Sequence, residues 1–264
     1  MFGLEGLLSD SWTLHRGDML RWLTDQPDAS FDALITDPPY SSGGAFRGDR
    51  MGSTDSKYTQ SEARGVRPDF DGDNRDQRSF LIWMNLWLME VKRVLVPGAP
   101  VVLFTDWRQL PTMTDAVQVG GLVWRGIAVW DKTEAARPQM DAFKAQCEYV
   151  IWGSNGPMTR SGDVGCLPGV FRHAVRQADK HHQTGKPTNL MRDVVRICPP
   201  GGVVLDPFAG SGTTGVAALL EGRRFAGCEI TEAYHAVASA RLEEAVAAMA
   251  GTHATTPLFG GAHG

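Results

Sequence analysis

The sequence has only four cysteines, Cys147, Cys166, Cys198 and Cys228, and they form no C-x-x-C pair. That spacing supports neither a disulfide framework nor a zinc site, and it suggests a reducing compartment. Also missing is any apolar run near the roughly 18 residues needed to span a bilayer. The first eleven residues carry acids rather than the basic start of a secretory leader. The chain is therefore expected to be soluble and cytoplasmic, without a membrane partner. Positive charge is not in excess either: the net charge is −4. This argues against coating nucleic acid non-specifically, a mode that depends on Lys and Arg neutralising phosphates. No G-x-x-x-x-G-K-[ST] motif occurs, which disfavours a nucleoside triphosphate, and no internal repeat is evident.

What is present suffices for one α/β core. The chain has 264 residues, 42% hydrophobic and 21% charged, enough for a single domain over residues 1–250 but cramped for two. Short apolar runs read as strands at Trp12–His15, Phe31–Thr36, Val101–Thr105, Val203–Asp206 and Arg224–Ile230. Leu122–Asp131 and Glu148–Trp152 alternate more, as expected of an antiparallel edge hairpin. Helical spacing runs from Ser79, a candidate N-cap, to Leu95, and again over Leu110–Val119, Thr188–Ile197 and the segment after Thr231. The aromatics of the first of these are expected in the core.

Three stretches resist this reading. Residues 41–78 are polar, with seven Lys/Arg against seven acids. A structureless loop of that length is either functional or disordered, so it is a mobile flap beside a site or simple surface disorder. Residues 155–184 lose periodicity and lie in the one basic stretch, which holds Arg160, Arg172, Arg176 and Lys180; that stretch is a nucleic-acid contact or a solvated loop. From Gly251 to the end no period survives, and a disordered tail is expected.

Two motifs bear chemistry. Asp37-Pro38-Pro39-Tyr40 follows an apolar strand, and two prolines cannot extend a central strand, so Asp37 stands at the strand's carboxyl end. That edge is where open α/β sheets bind ligands. Taken alone, the tetrapeptide reads sooner as a turn in which Asp37 accepts local backbone hydrogen bonds and Tyr40 covers the core. The second stretch is Asp206-Pro207-Phe208-Ala209-Gly210-Ser211-Gly212-Thr213, a strand end entering a Gly-rich turn and then a helix. The next strand ends at Glu229, about twenty residues on, where a carboxylate can accept both hydroxyls of a ribose.

In this order the two motifs resemble the S-adenosylmethionine-dependent amino-methyltransferases, specifically DNA (adenine-N6) methyltransferases of the β class, with the acid motif N-terminal and the cofactor motif C-terminal. The resemblance is nearly continuous from His182 to Leu242. It implies a Rossmann-like α/β fold, a mostly parallel sheet in circularly permuted motif order, and double-stranded DNA as partner. Asp37, Pro38, Pro39 and Tyr40 would be catalytic, with Asp37 also beside the cofactor. Asp206, Phe208, Ala209, Gly210, Ser211, Gly212, Thr213 and Glu229 would hold S-adenosylmethionine. Asp18 would meet its adenine and Lys186 and Thr188 its carboxylate, although these three serve equally well as structural residues. No metal is implied. Target recognition falls to residues 155–184, with Arg160, Arg172, Arg176 and Lys180 on DNA. So small a recognition segment suggests a homodimer on a symmetric site. Asp at the first motif position favours adenine N6, with cytosine N4 as the nearest alternative and RNA, protein glutamine or an inactive binding module further off.

Overall fold

The computed structural model describes residues 11–40, 76–136, 138, 140–158, 162–175 and 185–254. In chain order the strands are β1 (Trp12–Arg16), β2 (Ala33–Thr36), β3 (Pro100–Thr105), β4 (Val123–Asp131), β5 (Cys147–Ser154), β6 (Val170–Arg172), β7 (Val203–Asp206) and β8 (Arg224–Glu229). The helices are α1 (Met19–Thr24), α2 (Gln77–Val94), α3 (Leu110–Val119), α4 (Thr188–Val195), α5 (Thr213–Leu220) and α6 (Glu232–Ala254). Among the described residues one sheet holds eight strands in the order β1-β8-β7-β2-β3-β5-β4-β6. Neighbours from β1 to β3 pair parallel, β5 runs antiparallel to both β3 and β4, and β6 pairs parallel with β4. This is the mostly parallel α/β architecture expected.

Helices cover both faces because the central strands are apolar on both sides. Along β3, Val101 and Leu103 pack with α2 and α3, whereas Val102 and Phe104 pack with α4 and α5. The two-residue period of a strand thus assigns each side chain to one of two cores.

Beyond shifts of one or two residues at element ends, the structure departs from the sequence reading in four places. Helix α2 starts at Gln77 rather than after Ser79, because Asp76 supplies the cap: its carboxylate accepts from the N–H groups of Arg78 and Ser79 at 2.9 and 3.0 Å. The flap assigned to 41–78 therefore loses its last residues to a helix, and 41–75 lies outside the described residues. Within 155–184, Val170–Arg172 pairs outside the antiparallel hairpin as β6, too short to leave a readable period. Helix α6 continues to Ala254, so 251–254 is helical and only 255–264 falls outside the description.

The pairing of β2 with β7 joins the two motif-bearing strands. It is completed by a side-chain bond. Thr36 Oγ1 at the end of β2 donates to Asp206 Oδ1 at 2.5 Å, and the Phe208 N–H donates to the same oxygen at 3.1 Å. Asp206 is 2% exposed. Burial pushes its carboxyl up to about 6, against the bonds from Thr36, Thr214 and the Phe208 N–H, and the nearby Asp37 charge adds to the rise.

A carboxyl whose pKa is raised by folding favours the folded state only when protonated. Stability is gained as pH falls through about 6 and is complete below the unfolded value near 3.8. Asp206→Asn removes that dependence while keeping an acceptor for Thr36. Measured by denaturant unfolding, wild type is expected to gain up to about 3 kcal/mol on the variant between pH 8 and pH 4. A pH-independent difference would contradict the assignment.

Candidate active site

Parallel strands deliver their carboxyl ends to one edge of the sheet, and the residues leaving them enclose a cavity of about 1060 Å³. Asp37, Pro38, Pro39 and Tyr40 line it from β2. Asp206, Phe208, Ala209, Gly210, Ser211 and Thr213 line it from β7 and the start of α5, Glu229 from β8, and Asp18 from the end of β1. The two motifs, far apart in sequence, share one space.

The Gly-rich turn is held from two sides. On one, Gly210 N–H donates to Glu229 Oε2 at 2.9 Å and Thr231 N–H to Oε1 at 2.8 Å. Burial pushes the Glu229 carboxyl above the usual range, opposed by these bonds from Thr231 and Gly210. On the other, the Arg241 guanidinium of α6 donates to the Ser211 carbonyl and to Thr213 Oγ1 at 3.1 Å. Gly212 caps α5 with φ at +79°, and a Cβ there would lie 3.0 Å from the Ala238 Cβ, so only glycine fits without strain. Phe208 packs on Trp83 and Trp87 with ring centres 5.4 and 5.2 Å away. Trp87 is core as expected, but Trp83 is half-buried and faces the cavity.

A chain of charges crosses the other side of the cavity. Lys186, only 6% exposed, donates from Nζ to Asp37 Oδ2 at 2.5 Å and lies 3.3 Å from Glu148 Oε2. Glu148 Oε1 lies 2.7 Å from Lys132 Nζ. The Lys186 ammonium sits 5.2 Å from the Phe104 ring centre and 5.9 Å from that of Tyr40. Burial opposes its charge, yet the Asp37 and Glu148 carboxylates outweigh that and raise its pKa. Burial likewise opposes charge on Glu148, and Lys186 with Lys132 reverses the effect and lowers it. Lys186 and Glu148 are thereby kept ionised.

The remaining expected residues are distributed unevenly. Asp18 caps α1, accepting from the Arg21 N–H at 3.0 Å, and lines the cavity. Thr188 opens α4 and is not among the lining residues, whereas Lys186 is, with Asp37 as its partner. Arg172 lies in β6, where Glu134 accepts from it at 2.6 Å and Asp131 lies 3.7 Å away. Arg160, Arg176 and Lys180 lie outside the described residues. Among the described residues no cluster of three or more His, Cys, Asp or Glu is disposed to hold a metal, and no helix is long and apolar enough to cross a membrane.

Sequence reasoning missed Glu148, Lys132 and Arg241. Glu148 stands at the start of β5, opposite Trp130 of β4, and reaches the carboxyl-end edge only because β5 runs antiparallel. An antiparallel hairpin was expected here, but not which of its two strands runs against β3. The site fits a ligand that carries a nucleoside: the Gly210 backbone without a Cβ, the N-terminus of α5 at Thr213, and an acid ending the next strand open into one cavity.

Comparison with known proteins agrees with this geometry. The DNA methylase family matches residues 31–164 and 159–240. "Putative methylase YubD" of Escherichia coli K12 is 31% identical over 235 residues, 89% of this chain and 91% of that protein. In fold, the chain is similar to the Thermus thermophilus protein TTHA0409 in complex with S-adenosyl-L-methionine, at TM-score 0.61 and 24% identity over 88% of this chain and 95% of that one. It is also similar to the cytosine-N4-specific PvuII DNA methyltransferase, at TM-score 0.64 and 19% identity over 90% and 91%. Family match and closely covered relative lead to one assignment, which the shared cavity makes physically coherent: the chain belongs to the DNA methylase family.

Proposed function

We propose that this protein transfers a methyl group from S-adenosylmethionine to the N6 amine of an adenine flipped out of duplex DNA. The observation that carries the reading is the common cavity of Asp37-Pro38-Pro39-Tyr40, the Gly-rich turn and Glu229. S-adenosylmethionine bound against the turn supplies an electrophilic methyl group. Phe208 to Thr213 shape its seat, Glu229 accepts from its ribose, and Asp18 lies within the same cavity for its base.

Asp37 and its neighbours prepare the nucleophile. An adenine amine delocalises its lone pair into the ring and is far too weak an acid for a carboxylate to ionise it. Asp37 instead accepts one N–H in a charge-assisted hydrogen bond while the Pro38 carbonyl accepts the other, drawing nitrogen toward tetrahedral geometry. As the N–C bond forms, the methyl group's bond to the sulfonium sulfur would break and leave its electron pair on sulfur, and the methylated nitrogen would then give its extra proton to the Asp37 carboxylate, from which it passes to solvent. Tyr40 stacks on the extruded base, which offsets part of an extrusion cost of a few kcal/mol. Cytosine N4 presents the same two N–H groups, and the fold likeness to a cytosine-N4 enzyme keeps it the nearest alternative. The Asp at position 37 favours adenine.

Duplex recognition is assigned to the 155–184 segment with Arg160, Arg172, Arg176 and Lys180, through phosphate and base-edge contacts. Two copies on a symmetric site would double that readout.

Asp37→Ala is expected to lower methyl transfer to DNA by at least about a thousandfold, while calorimetry finds cofactor affinity little changed. Retained turnover would sink the catalytic role. Glu229→Gln is expected to weaken cofactor binding about tenfold, the scale of one charge-assisted hydrogen bond. An unchanged dissociation constant would remove Glu229 from the cofactor seat.

A further inference from the structure

The ion-pair chain behind Asp37 poses a conflict that the proposed reaction must resolve. The reaction needs the Asp37 carboxylate as an acceptor for an amine N–H, yet the Lys186 ammonium already donates to Asp37 Oδ2 at 2.5 Å. A carboxylate engaged by an ammonium is a weaker acceptor for a neutral amine. Lys186 is too buried to withdraw into solvent, at 6% exposure, and the Phe104 and Tyr40 rings flank it. A second anion is within reach. Glu148 Oε2, at the start of β5 two strands along from β2, stands 3.3 Å from the same nitrogen, and Lys132 holds its other oxygen at 2.7 Å.

An ammonium has three donors on one nitrogen and can redistribute them between two carboxylates with a small displacement. We infer that Glu148 is a positioning residue that takes up the Lys186 ammonium as the target amine engages Asp37, leaving Asp37 ionised and open to accept. This rests on the methyl-transfer reading above. Without the Glu148 charge, Lys186 has a single anionic partner and stays on Asp37. Without Lys186, the carboxylates of Asp37 and Glu148 are left without the cation between them, with Asp206 close to Asp37 as well, and their repulsion makes Asp37 harder to keep ionised. The effect of Glu148 therefore changes sign with the residue at 186. A purely structural Glu148 would give the same loss in both backgrounds.

The test is a kinetic cycle on the full chain: wild type, Glu148→Gln, Lys186→Met and the double variant, with Glu148→Asp as the conservative control. Radiolabelled S-adenosylmethionine and unmethylated genomic DNA serve as substrates, and thermal melts confirm folding. Glu148→Gln is expected to lower kcat about tenfold, the scale of one charge-assisted bond, with the KM for cofactor unchanged within about twofold. Glu148→Asp recovers part of kcat. In the Lys186→Met background, adding Glu148→Gln raises kcat instead of lowering it. An active wild type with equal losses in both backgrounds, or with kcat indifferent to Glu148→Gln, overturns this inference alone. An inactive wild type overturns the methyl-transfer reading and this inference together.

Discussion

The bond from Thr36 to Asp206 closes the contact on which the site depends. Strands β2 and β7 lie far apart in sequence and adjacent in the sheet. Their pairing places an acid, two prolines and a tyrosine beside a Gly-rich turn. Neither motif is a site by itself: the first is a strand ending in a turn, the second a tight entry into a helix. Brought to the same edge, they enclose a space with a carboxylate on one wall and a backbone cradle on the other. The cost is a nearly dry carboxyl at Asp206, held by hydroxyl and backbone donors rather than by a cation.

The same edge collects charge, and strand direction decides which charges arrive. Parallel strands contribute their last residues, hence Asp206, Glu229 and, just beyond β2, Asp37. Strand β5 is reversed between β3 and β4, so it contributes its first residues, and Glu148 joins the group. Lys132 and Lys186 then balance Asp37 and Glu148 in an alternating chain. Burying such a chain is expensive, and breaking it by removing one member costs more than its net contribution to stability. Its arrangement sets a buried ammonium between the carboxylates of Asp37 and Glu148 at the edge of the cavity.

Much of this was legible in the sequence, for reasons that can be stated. Strands β2, β3 and β7 are apolar on both faces and end in an acid or a Pro pair, so their position in the sheet and the direction of their ends could be read. Gly210 and Glu229 follow the spacing that a close backbone approach demands, whereas Gly212 is required by its positive φ and by Ala238 of α6. The rest depended on tertiary context. Asp76 caps α2 from inside a polar stretch that has no period. The three residues of β6 gain a strand conformation only by pairing with β4. Trp83 shares the helical spacing of core aromatics, and which of them meets the cavity depends on how α2 lies on Phe208. Glu148 opened a strand of the expected antiparallel hairpin, but the sequence did not say which strand of that hairpin lies next to β3 and so which end of it meets the cavity. Lys186 stood in a recognisable dipeptide, but its pairing with Asp37 spans 149 positions.

The central claim is that Asp37 presents an acceptor to an exocyclic adenine amine within a cavity shared with the methyl donor. The most direct measurement is nucleoside mass spectrometry of DNA incubated with the protein and isotopically labelled S-adenosylmethionine, followed by mapping of the modified positions. The account predicts label in N6-methyladenine at one short recurring sequence. Label in N4-methylcytosine, or no label in DNA from a folded, cofactor-binding protein, would contradict it.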